Sequence, residues 1–393
     1  MARAKARTVA LVLLVSVFLG LVNTNLAWAL PSSSPTSGLK VDCEGAVLID
    51  AQTGQILFAH NPHRRWPPAS VTKLMTLGLA LEAIQQGKAH WNDPVLTSEQ
   101  AADMGGAQVY LEPGEQRTLE EMLIAVMVGS ANDASVAVAE HLAGSEEAFV
   151  EQMNQKAKQL GLKNTHFTNC HGLPDKNHYS SAYDLAQISR WVLQFPDTLR
   201  LSSLKYYKFR EKPLLELWNL NKLLWWYPGA DGLKTGSHSE AGLCLASTAK
   251  RDELRLIAVV LGATKQRGQF SESMKMFNYG FARFRYKGLY ASGSQVAEIP
   301  IEKGMQDVVA VVPTKPVGIT VEKGKEKGVG LKTVLPEAVK APVKQGQKIG
   351  EAIITLEGQE ALRVDLVAAE AVGEATLWRQ IQKMFTKVIP SRK

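Results

Sequence analysis

The segment from Ser70 to Gln86 constrains the fold of this chain more than any other feature. Its residues are mostly apolar and favour a helix, and Gly87 provides a stop signal at its end. A helix that is apolar on nearly every side belongs in the interior of a protein. Because Ser70 and Lys73 are three residues apart, they share one face of it. The sequence therefore predicts a buried helix that carries a hydroxyl and an amine side by side.

Apolar runs around this helix predict an α+β domain over residues 41–288. The predicted elements are strands at 46–50, 55–59, 242–249 and 254–261 and helices at 118–128, 133–142 and 272–285. Thr118 and Glu121 form a capping box at the start of one helix. Beyond residue 290, short alternating runs separated by Gly-rich and Lys-rich turns predict a small all-β domain over residues 289–371. Its strands are predicted at 308–312, 317–321, 352–356 and 362–368.

Residues 1–29 have the pattern of a secretory signal peptide. Three basic residues precede an almost wholly apolar run at 9–22, and Ala27-Trp28-Ala29 forms a cleavage site after Ala29. An uncleaved anchor is the alternative, disfavoured because the apolar run is short for a membrane span. In both cases the body is exported, to the outer face of the cytoplasmic membrane, the periplasm or the cell-wall space. Residues 30–40, rich in Ser and Pro, form a linker.

The excess of basic over acidic residues lies at the two ends of the chain. Loss of three basic residues with the signal peptide lowers the formal charge from +7 to +4, and residues 372–393, with five basic residues and one acid, also carry +4. The body is near neutral, which argues against a nucleic-acid partner. Within residues 372–393, an apolar face and basic residues away from it predict an amphipathic helix in peripheral contact with an anionic membrane. A helix packed on the second domain is the alternative. The apolar face is Leu377, Ile381, Met384, Phe385 and Val388, and the basic residues beside it are Arg379, Lys383 and Lys387.

The cysteines and histidines do not indicate a metal site. Cys43, Cys170 and Cys244 are an odd set at wide spacing, without a Cys-x-x-Cys or Cys/His ligand pattern. Three buried thiols are favoured over a single disulfide. No metal and no organic cofactor is expected.

Three short motifs stand in order along the first domain: Ser70-Val-Thr-Lys73, Ser130-Ala-Asn132 and Lys234-Thr-Gly236. A serine hydroxyl is a weak nucleophile and needs a base. Lys73 can be that base only when neutral, and burial together with a nearby cation such as Lys234 would lower its pKa. Ser70 begins a helix, where free N–H groups favour negative charge.

The other motif residues suit proton transfer and peptide binding. Ser130, on a turn between two helices, can pass a proton to a departing amine. Asn132 offers a donor and an acceptor to the amide of a bound peptide. Lys234 offers a cation to a terminal carboxylate, and Thr235 a hydroxyl. The N–H of Ser237 and that of the nucleophile would form an oxyanion hole.

With these motifs the chain resembles the low-molecular-mass penicillin-binding proteins, the serine D-alanyl-D-alanine carboxypeptidase family, over nearly all of its mature length. The supporting stretches are Pro68–Met75, Ser130–Val136, His171–Asp175, Tyr183–Ala186 and Asp231–Gly236. The resemblance implies a β-lactamase/transpeptidase-like domain, an antiparallel sheet flanked by helices and a helical subdomain, followed by the all-β domain. It implies Ser70 as acylated nucleophile, Lys73 as proton acceptor, Ser130 as proton relay and Lys234 as carboxylate ligand.

The resemblance also implies the reaction. Ser70 attacks the carbonyl between the terminal D-alanines of a peptidoglycan stem peptide, D-alanine leaves, and water releases the acyl group. β-Lactams would acylate the same serine. A β-lactamase is a rival, but no glutamate follows the second motif in a matching setting. Endopeptidase action on cross-links stays open. A non-catalytic wall-binding protein is disfavoured because all four chemical positions are intact.

Two positions depart from the family pattern. Cys170 stands where the family often has Pro, and Gln269 stands where an Arg commonly helps to hold the substrate carboxylate. Arg267 lies two residues earlier, which leaves open whether it or Gln269 contributes. His171 permits a Ser-His-Asp interpretation, but a structural loop histidine is favoured because Lys73 already supplies a base.

Overall fold

The computed structural model describes residues 38–379. The predicted signal peptide, most of the predicted linker and most of the predicted C-terminal helix therefore lie outside the described residues. Within residues 38–379, no helix is long and apolar enough to cross a bilayer.

Helices and strands alternate up to residue 283, and strands dominate from residue 284 onward. The α-helices of the described range are α1 (Lys73–Gln85), α2 (Glu99–Ala102), α3 (Leu119–Ile124), α4 (Asn132–Ala143), α5 (Glu146–Gln159), α6 (Ala182–Val192), α7 (Asp197–Ser202), α8 (Leu223–Trp226) and α9 (Gly268–Arg283). The strands are β1 (Gly45–Asp50), β2 (Ile56–His60), β3 (Pro94–Leu96), β4 (Gln116–Thr118), β5 (Tyr206–Arg210), β6 (Leu215–Trp218), β7 (Ala230–His238), β8 (Gly242–Arg251), β9 (Leu254–Ala263), β10 (Phe284–Tyr290), β11 (Ala297–Glu302), β12 (Val308–Pro313), β13 (Val317–Glu322), β14 (Val329–Val334), β15 (Val339–Lys340), β16 (Lys348–Leu356) and β17 (Gln359–Ala368).

A five-stranded antiparallel sheet in the order β2-β1-β9-β8-β7 forms the centre of the first domain. Its two faces pack into different cores. Val47 and Ile49 of β1 join the core that contains α1, whereas Ala46 and Leu48 join the core that contains Phe277 of α9. Because both faces are covered, strands β1 and β9 are apolar at nearly every position. The four strands predicted for this domain are confirmed as β1, β2, β8 and β9, and β7 is an edge strand.

The predicted buried helix is confirmed, with a different first turn. Residues Ala69–Thr72 form a 3₁₀ turn, and the α-helix begins at Lys73. Leu74 and Leu77 are fully buried. The helix packs so tightly on α6 that a methyl group on Gly78 would lie 2.2 Å from the Trp191 ring. Helix α1 therefore lies at the centre of the helical part of the first domain.

The predicted helix over 118–128 is interrupted earlier than the sequence indicates. The Thr118–Glu121 capping box is present at the start of α3. After Ile124 the chain widens into a π-helical turn, Ala125–Gly129, which ends at Ser130 in a left-handed conformation with φ +62°. Turns of this kind are often found at functional sites. The extra residue in the turn changes the direction in which the chain leaves α3.

The predicted helix over 272–285 is wrong at both ends. Helix α9 begins at Gly268 and ends at Arg283. Its start carries no side-chain cap, because Arg267 at the N-cap position has φ +60° and makes no capping hydrogen bond. The sequence therefore lacked the usual start signal. At the other end, β10 begins at Phe284 and pairs with β13.

The C-terminal strands enclose a core of their own. One sheet has the order β14-β16-β17-β12-β11-β15, and Val309, Val311 and Leu366 are buried in its core. The predicted all-β architecture and the α+β class of the whole chain are confirmed. Strands β10, β11, β14 and β15 were not predicted.

The predicted start of the C-terminal helix at residue 372 is wrong. Val372 bridges to Val343, and Glu374 bridges to Gly304. Val372 is buried in the core of the β domain, which explains why it does not belong to a surface helix. Helical conformation begins at residue 377, and Leu377 is 76% exposed.

Candidate active site

The 3₁₀ turn that precedes α1 is held in a strained conformation. Ala69 has φ +47°, which L-residues with a Cβ rarely adopt. The loop at Gly172 packs against it so closely that a Cβ there would lie 2.0 Å from the Ala69 carbonyl oxygen. Strain of this kind persists only where surrounding structure enforces it. It presents Ser70, which is half-buried, just before the buried helix.

Lys73 is fully buried directly below Ser70. Its Nζ lies 3.2 Å from Ser70 Oγ, 2.6 Å from Asn132 Oδ1 and 2.6 Å from the carbonyl oxygen of His171. Burial, and next the charge of Lys234, hold the pKa of Lys73 well below its usual range. A neutral amine has two N–H donors and one lone pair. The two carbonyl oxygens can accept those donors, which directs the lone pair toward Ser70.

Asn132 links Lys73 to a neighbouring loop. Its Nδ2 donates to the Gly105 carbonyl oxygen at 2.7 Å, and its backbone N–H donates to that of Ala107 at 2.7 Å. Both ends of the amide therefore already have protein partners. Asp133 fixes the same loop, because its buried carboxylate accepts from the N–H groups of Val109 and Leu111.

The third motif lies on β7, against the 3₁₀ turn that precedes α1. A Cβ on Gly236 would lie 2.8 Å from the Ser70 backbone nitrogen, so only glycine allows the strand this close. Lys234 is buried, and burial lowers its pKa to about 7. Its Nζ donates to the Thr235 carbonyl oxygen at 3.2 Å.

The predicted residues thus fall into one site with different degrees of contact. Ser70, Lys73 and Asn132 touch directly, and Lys234 acts on Lys73 through its charge. Ser130 is buried on the turn that precedes Asn132. Thr235 and Ser237 line a cavity of about 360 Å³ whose other lining residues are Leu220, Lys222, Trp226, Gly236, Arg267, Gln269 and Phe270.

His171 makes the contacts of a structural residue. Its Nδ1 accepts from the Leu173 N–H at 3.1 Å, and its Nε2 lies 3.4 Å from a Glu146 carboxylate oxygen. Burial lowers its pKa in spite of that carboxylate. The sequence did not predict that its backbone carbonyl accepts from Lys73. The only signal was Gly172, which has φ +90° and lets the loop turn under Ser70.

The three cysteines are free. Cys170 and Cys244 are buried, whereas Cys43 is partly exposed, so the expectation of three buried thiols is correct for two. Among residues 38–379, no group of three His, Cys, Asp or Glu side chains is arranged to hold a metal ion.

A serine beside a buried lysine, facing the edge of an antiparallel sheet in an α+β fold, defines the class of penicillin-binding serine enzymes. The family model of D-alanyl-D-alanine carboxypeptidase, peptidase S11, matches residues 32–265. The C-terminal domain model of penicillin-binding protein 5 matches residues 284–374. The chain belongs to this carboxypeptidase family, as predicted.

Curated relatives and solved structures place the chain in the same family. The chain is 39% identical to the D-alanyl-D-alanine carboxypeptidase DacF of Bacillus subtilis (strain 168) over 89% of this chain and 90% of the relative. It is similar to the crystal structure of penicillin-binding protein 5 from Haemophilus influenzae, with TM-score 0.73 and 35% identity over 86% of this chain and 99% of that one. Penicillin-binding protein D2 from Listeria monocytogenes, solved with ampicillin bound, has TM-score 0.56 and 29% identity over 62% of this chain and 99% of that one. The protein is a serine-type D-Ala-D-Ala carboxypeptidase.

Proposed function

We propose that the enzyme removes the terminal D-alanine of peptidoglycan stem peptides through an acyl-enzyme on Ser70, with Lys73 as the base. The observation that carries this assignment is the environment of the Lys73 amine. It is fully buried, its pKa is lowered, and carbonyl oxygens occupy two of its three directions. The remaining direction faces Ser70 Oγ at 3.2 Å.

In the first step, neutral Lys73 takes the proton of the Ser70 hydroxyl while Oγ attacks the carbonyl carbon between the two D-alanines. Negative charge develops on the carbonyl oxygen. The backbone N–H groups of Ser70 and Ser237 are the proposed donors to it, since Gly236 brings β7 against the 3₁₀ turn that contains Ser70. Thr235 and Lys234 hold the terminal carboxylate. A bound carboxylate favours the charged form of Lys234 and so raises its pKa from about 7.

In the second step, the C–N bond breaks and D-alanine leaves. The proton that Lys73 received passes through the Ser130 hydroxyl to the departing amine, which leaves Lys73 neutral again. Water then attacks the ester carbonyl while Lys73 accepts its proton. The bond between the acyl carbon and Ser70 Oγ breaks, and Lys73 passes the proton to Oγ, which restores the Ser70 hydroxyl and the neutral amine. A β-lactam forms the same ester, but its leaving nitrogen stays attached to the acyl group, so we expect slow release rather than β-lactamase turnover.

The direct test is D-alanine release from a synthetic pentapeptide that ends in D-Ala-D-Ala. We expect Ser70→Ala to lower the rate by about 10³-fold or more. The matched control is Ser294→Ala, on an exposed turn of the β domain. A Ser70→Ala enzyme that released D-alanine as fast as the control would contradict the assignment.

We also propose that the enzyme works outside the cytoplasm. Its substrate lies outside the cytoplasm, and residues 1–29 have the pattern of a signal peptide for export. A C-terminal helix would then hold the peptidase and β domains at the membrane surface. The exposure of Leu377 and of Trp378, which is 70% exposed, supports a helix that is not packed on the β domain at its start.

Deletion of residues 377–393 tests the membrane contact without cutting the β domain, whose buried residues extend to Ala375. We expect the shortened enzyme to leave the membrane fraction and to keep D-alanine release. An unchanged membrane fraction would contradict the proposed contact.

A further inference from the structure

Exposed apolar side chains are concentrated in one segment of the peptidase domain. Of the thirteen large apolar side chains that are exposed in residues 38–379, six lie between residues 206 and 226. This segment contains the hairpin of β5 and β6, followed by α8, which leads into β7. Clusters of exposed apolar side chains mark interaction sites on proteins. The hairpin segment therefore has the character of a binding surface.

Trp218, on β6, has a ring that is open to a ligand. It is 56% exposed, whereas Trp225 of the following helix is 41% exposed. The ammonium groups of Lys205 and Lys222 lie 5.5 Å and 5.0 Å from the centre of the Trp225 ring. No cation of residues 38–379 lies over the Trp218 ring in this way. The ring of Trp218 is therefore the better stacking surface.

The outer face of the hairpin combines an aromatic pair with a polar pair. Tyr206 lies opposite Trp218, with ring centroids 5.0 Å apart, and Lys208 lies opposite Glu216. The Tyr206 hydroxyl donates to Glu216 Oε1 at 2.7 Å. Leu217 faces the other way and is buried. Because the two pairs are two residues apart along the strands, about 7 Å separates them.

An amino sugar of a glycan strand fits this arrangement. One face of a pyranose ring presents C–H groups, which the negative face of an aromatic ring attracts. The hydroxyl and acetamide groups at the edge of the sugar need both donors and acceptors, and Lys208 and Glu216 supply them. A lipid surface would suit the tryptophan but would take the Glu216 carboxylate out of water at a cost. The polar pair therefore favours a sugar.

The hairpin is within reach of a stem peptide bound at the active site. Leu217 packs against Gly129, where a Cβ would lie 3.3 Å from Leu217 Cδ2. Gly129 precedes Ser130 and Leu217 precedes Trp218, so the Cα atoms of Ser130 and Trp218 are within about 15 Å of each other. In a pentapeptide stem, four residues separate the sugar from the scissile bond, and they span about 14 Å when extended. The sugar can therefore lie on the hairpin while the scissile bond lies at Ser70.

We propose, building on the function above, that Trp218 and Tyr206 form a platform for the amino sugar that carries the stem peptide. The enzyme then binds its substrate at two points, the D-Ala-D-Ala terminus and the glycan strand. The chemistry at Ser70 is unchanged. The consequence is a lower KM for a stem peptide attached to sugar than for the same peptide when free.

Two substrates test the proposal: a free pentapeptide that ends in D-Ala-D-Ala, and the same pentapeptide attached to an N-acetylated disaccharide. We expect the wild-type kcat/KM for the disaccharide substrate to be about five- to tenfold higher, through KM, as one stacked ring provides. Trp218→Leu keeps an apolar side chain but loses the ring, so the ratio of the two kcat/KM values should fall to about 1. Trp218→Phe keeps a ring and should retain most of the preference. Trp225→Leu is the matched control and should keep the wild-type ratio.

The outcomes are separable. A ratio that is the same in Trp218→Leu and wild type would overturn the proposal, as would a wild-type ratio of about 1. Failure of wild type to release D-alanine from either substrate would instead overturn the function proposed above. Binding of the full chain to phosphatidylglycerol vesicles distinguishes sugar from lipid. Weaker vesicle binding by Trp218→Leu with an unchanged substrate ratio would assign the hairpin to the membrane. Labelling by a fluorescent penicillin shows that each variant is folded.

Discussion

Gly236 of the edge strand and the backbone nitrogen of Ser70 lie so close that a methyl group on Gly236 would stand 2.8 Å from that nitrogen. The same methyl would stand 2.9 Å from the Pro68 carbonyl oxygen and 2.9 Å from the Val71 nitrogen. These neighbours are backbone atoms and cannot rotate away. The spacing between β7 and the 3₁₀ turn that precedes α1 is therefore fixed by the absence of one side chain.

Gly236→Ala should displace the strand and misalign the two N–H groups proposed to bind the oxyanion. We expect kcat/KM for D-alanine release to fall by about 10²–10³-fold, the cost of losing one such donor. Gly373→Ala is the matched control, because its Cβ would meet no atom within 4 Å. A Gly236→Ala enzyme with the control's kcat/KM would contradict the proposed oxyanion site.

The acylation rate should first rise and then fall as pH increases, which gives a profile with an acidic and an alkaline limb. It rises with pH as Lys73 loses its proton, because only the neutral amine is a base. It falls above about pH 7 as Lys234 loses the charge that binds the substrate carboxylate. Because the two lysines interact, the apparent pKa that each limb reports belongs to the pair and not to one lysine alone. The measurement is the second-order rate constant for penicillin acylation across pH.

Lys234→Met should change both limbs of that profile. The alkaline limb disappears with Lys234, and the acidic limb moves to higher pH, because loss of the nearby cation raises the pKa of Lys73. A Lys234→Met profile with both wild-type limbs would contradict the proposed coupling of the pair.

Asn132→Asp should slow acylation at neutral pH by changing the charge state of Lys73. A carboxylate at the position of Oδ1, 2.6 Å from Lys73 Nζ, favours the ammonium form. We expect the acidic limb to move up by about 1–3 pH units. Asn132→Ala removes the contact without adding charge, so its acidic limb should move much less. If the acidic limbs of Asn132→Asp and Asn132→Ala lay at the same pH, residue 132 would not influence the protonation of Lys73.

His178 should make stability sensitive to acid. Its Nδ1 accepts from the Thr168 N–H at 3.1 Å, its Nε2 lies 2.8 Å from Thr72 Oγ1, and burial lowers its pKa from 6.5 to about 3. Between about pH 3 and pH 6.5, His178 is therefore protonated in the unfolded chain and neutral in the folded chain. The contribution to stability is present above pH 6.5 and is lost as pH falls toward 3, by at most ~1.4 kcal/mol per pH unit.

His178→Gln removes that titration. We expect it to be less stable than wild type at pH 7, with a difference in unfolding free energy that narrows between pH 6 and 4. Urea unfolding at each pH measures it, with the exposed His90→Gln as control. A difference that stayed constant over this range would show that His178 is not held neutral.

The chemistry of the site was more predictable than its geometry. Ser70 and Lys73 are three residues apart in an apolar segment that the sequence predicts as one helix, so their contact and the burial of the amine followed from helix periodicity, although Ser70 lies in the 3₁₀ turn that precedes α1. The acceptor at His171 was not predictable, because a backbone carbonyl carries no sequence signature and tertiary packing brings it there. The left-handed conformations of Ala69 and Ser130 have the same origin, since neither residue favours φ > 0.

The strands, too, were predictable only where the sequence itself carries a strong pattern. Strands β1, β8 and β9 are buried on both faces and appear as long apolar runs, which made them visible in the sequence. Strand β11 contains Pro300, and the residues of β14 are only partly buried or exposed. Their pattern was too weak for prediction, and they are strands because neighbouring strands supply their hydrogen bonds.

The assignment of Ser70 as the nucleophile is tested by the intact mass of the enzyme after brief treatment with benzylpenicillin, followed by mapping of the modified peptide. A nucleophile activated by a buried neutral lysine predicts one penicilloyl group per chain, on the hydroxyl of Ser70, and none on Ser70→Ala. An adduct on any other residue, or an unchanged adduct on Ser70→Ala, would contradict it.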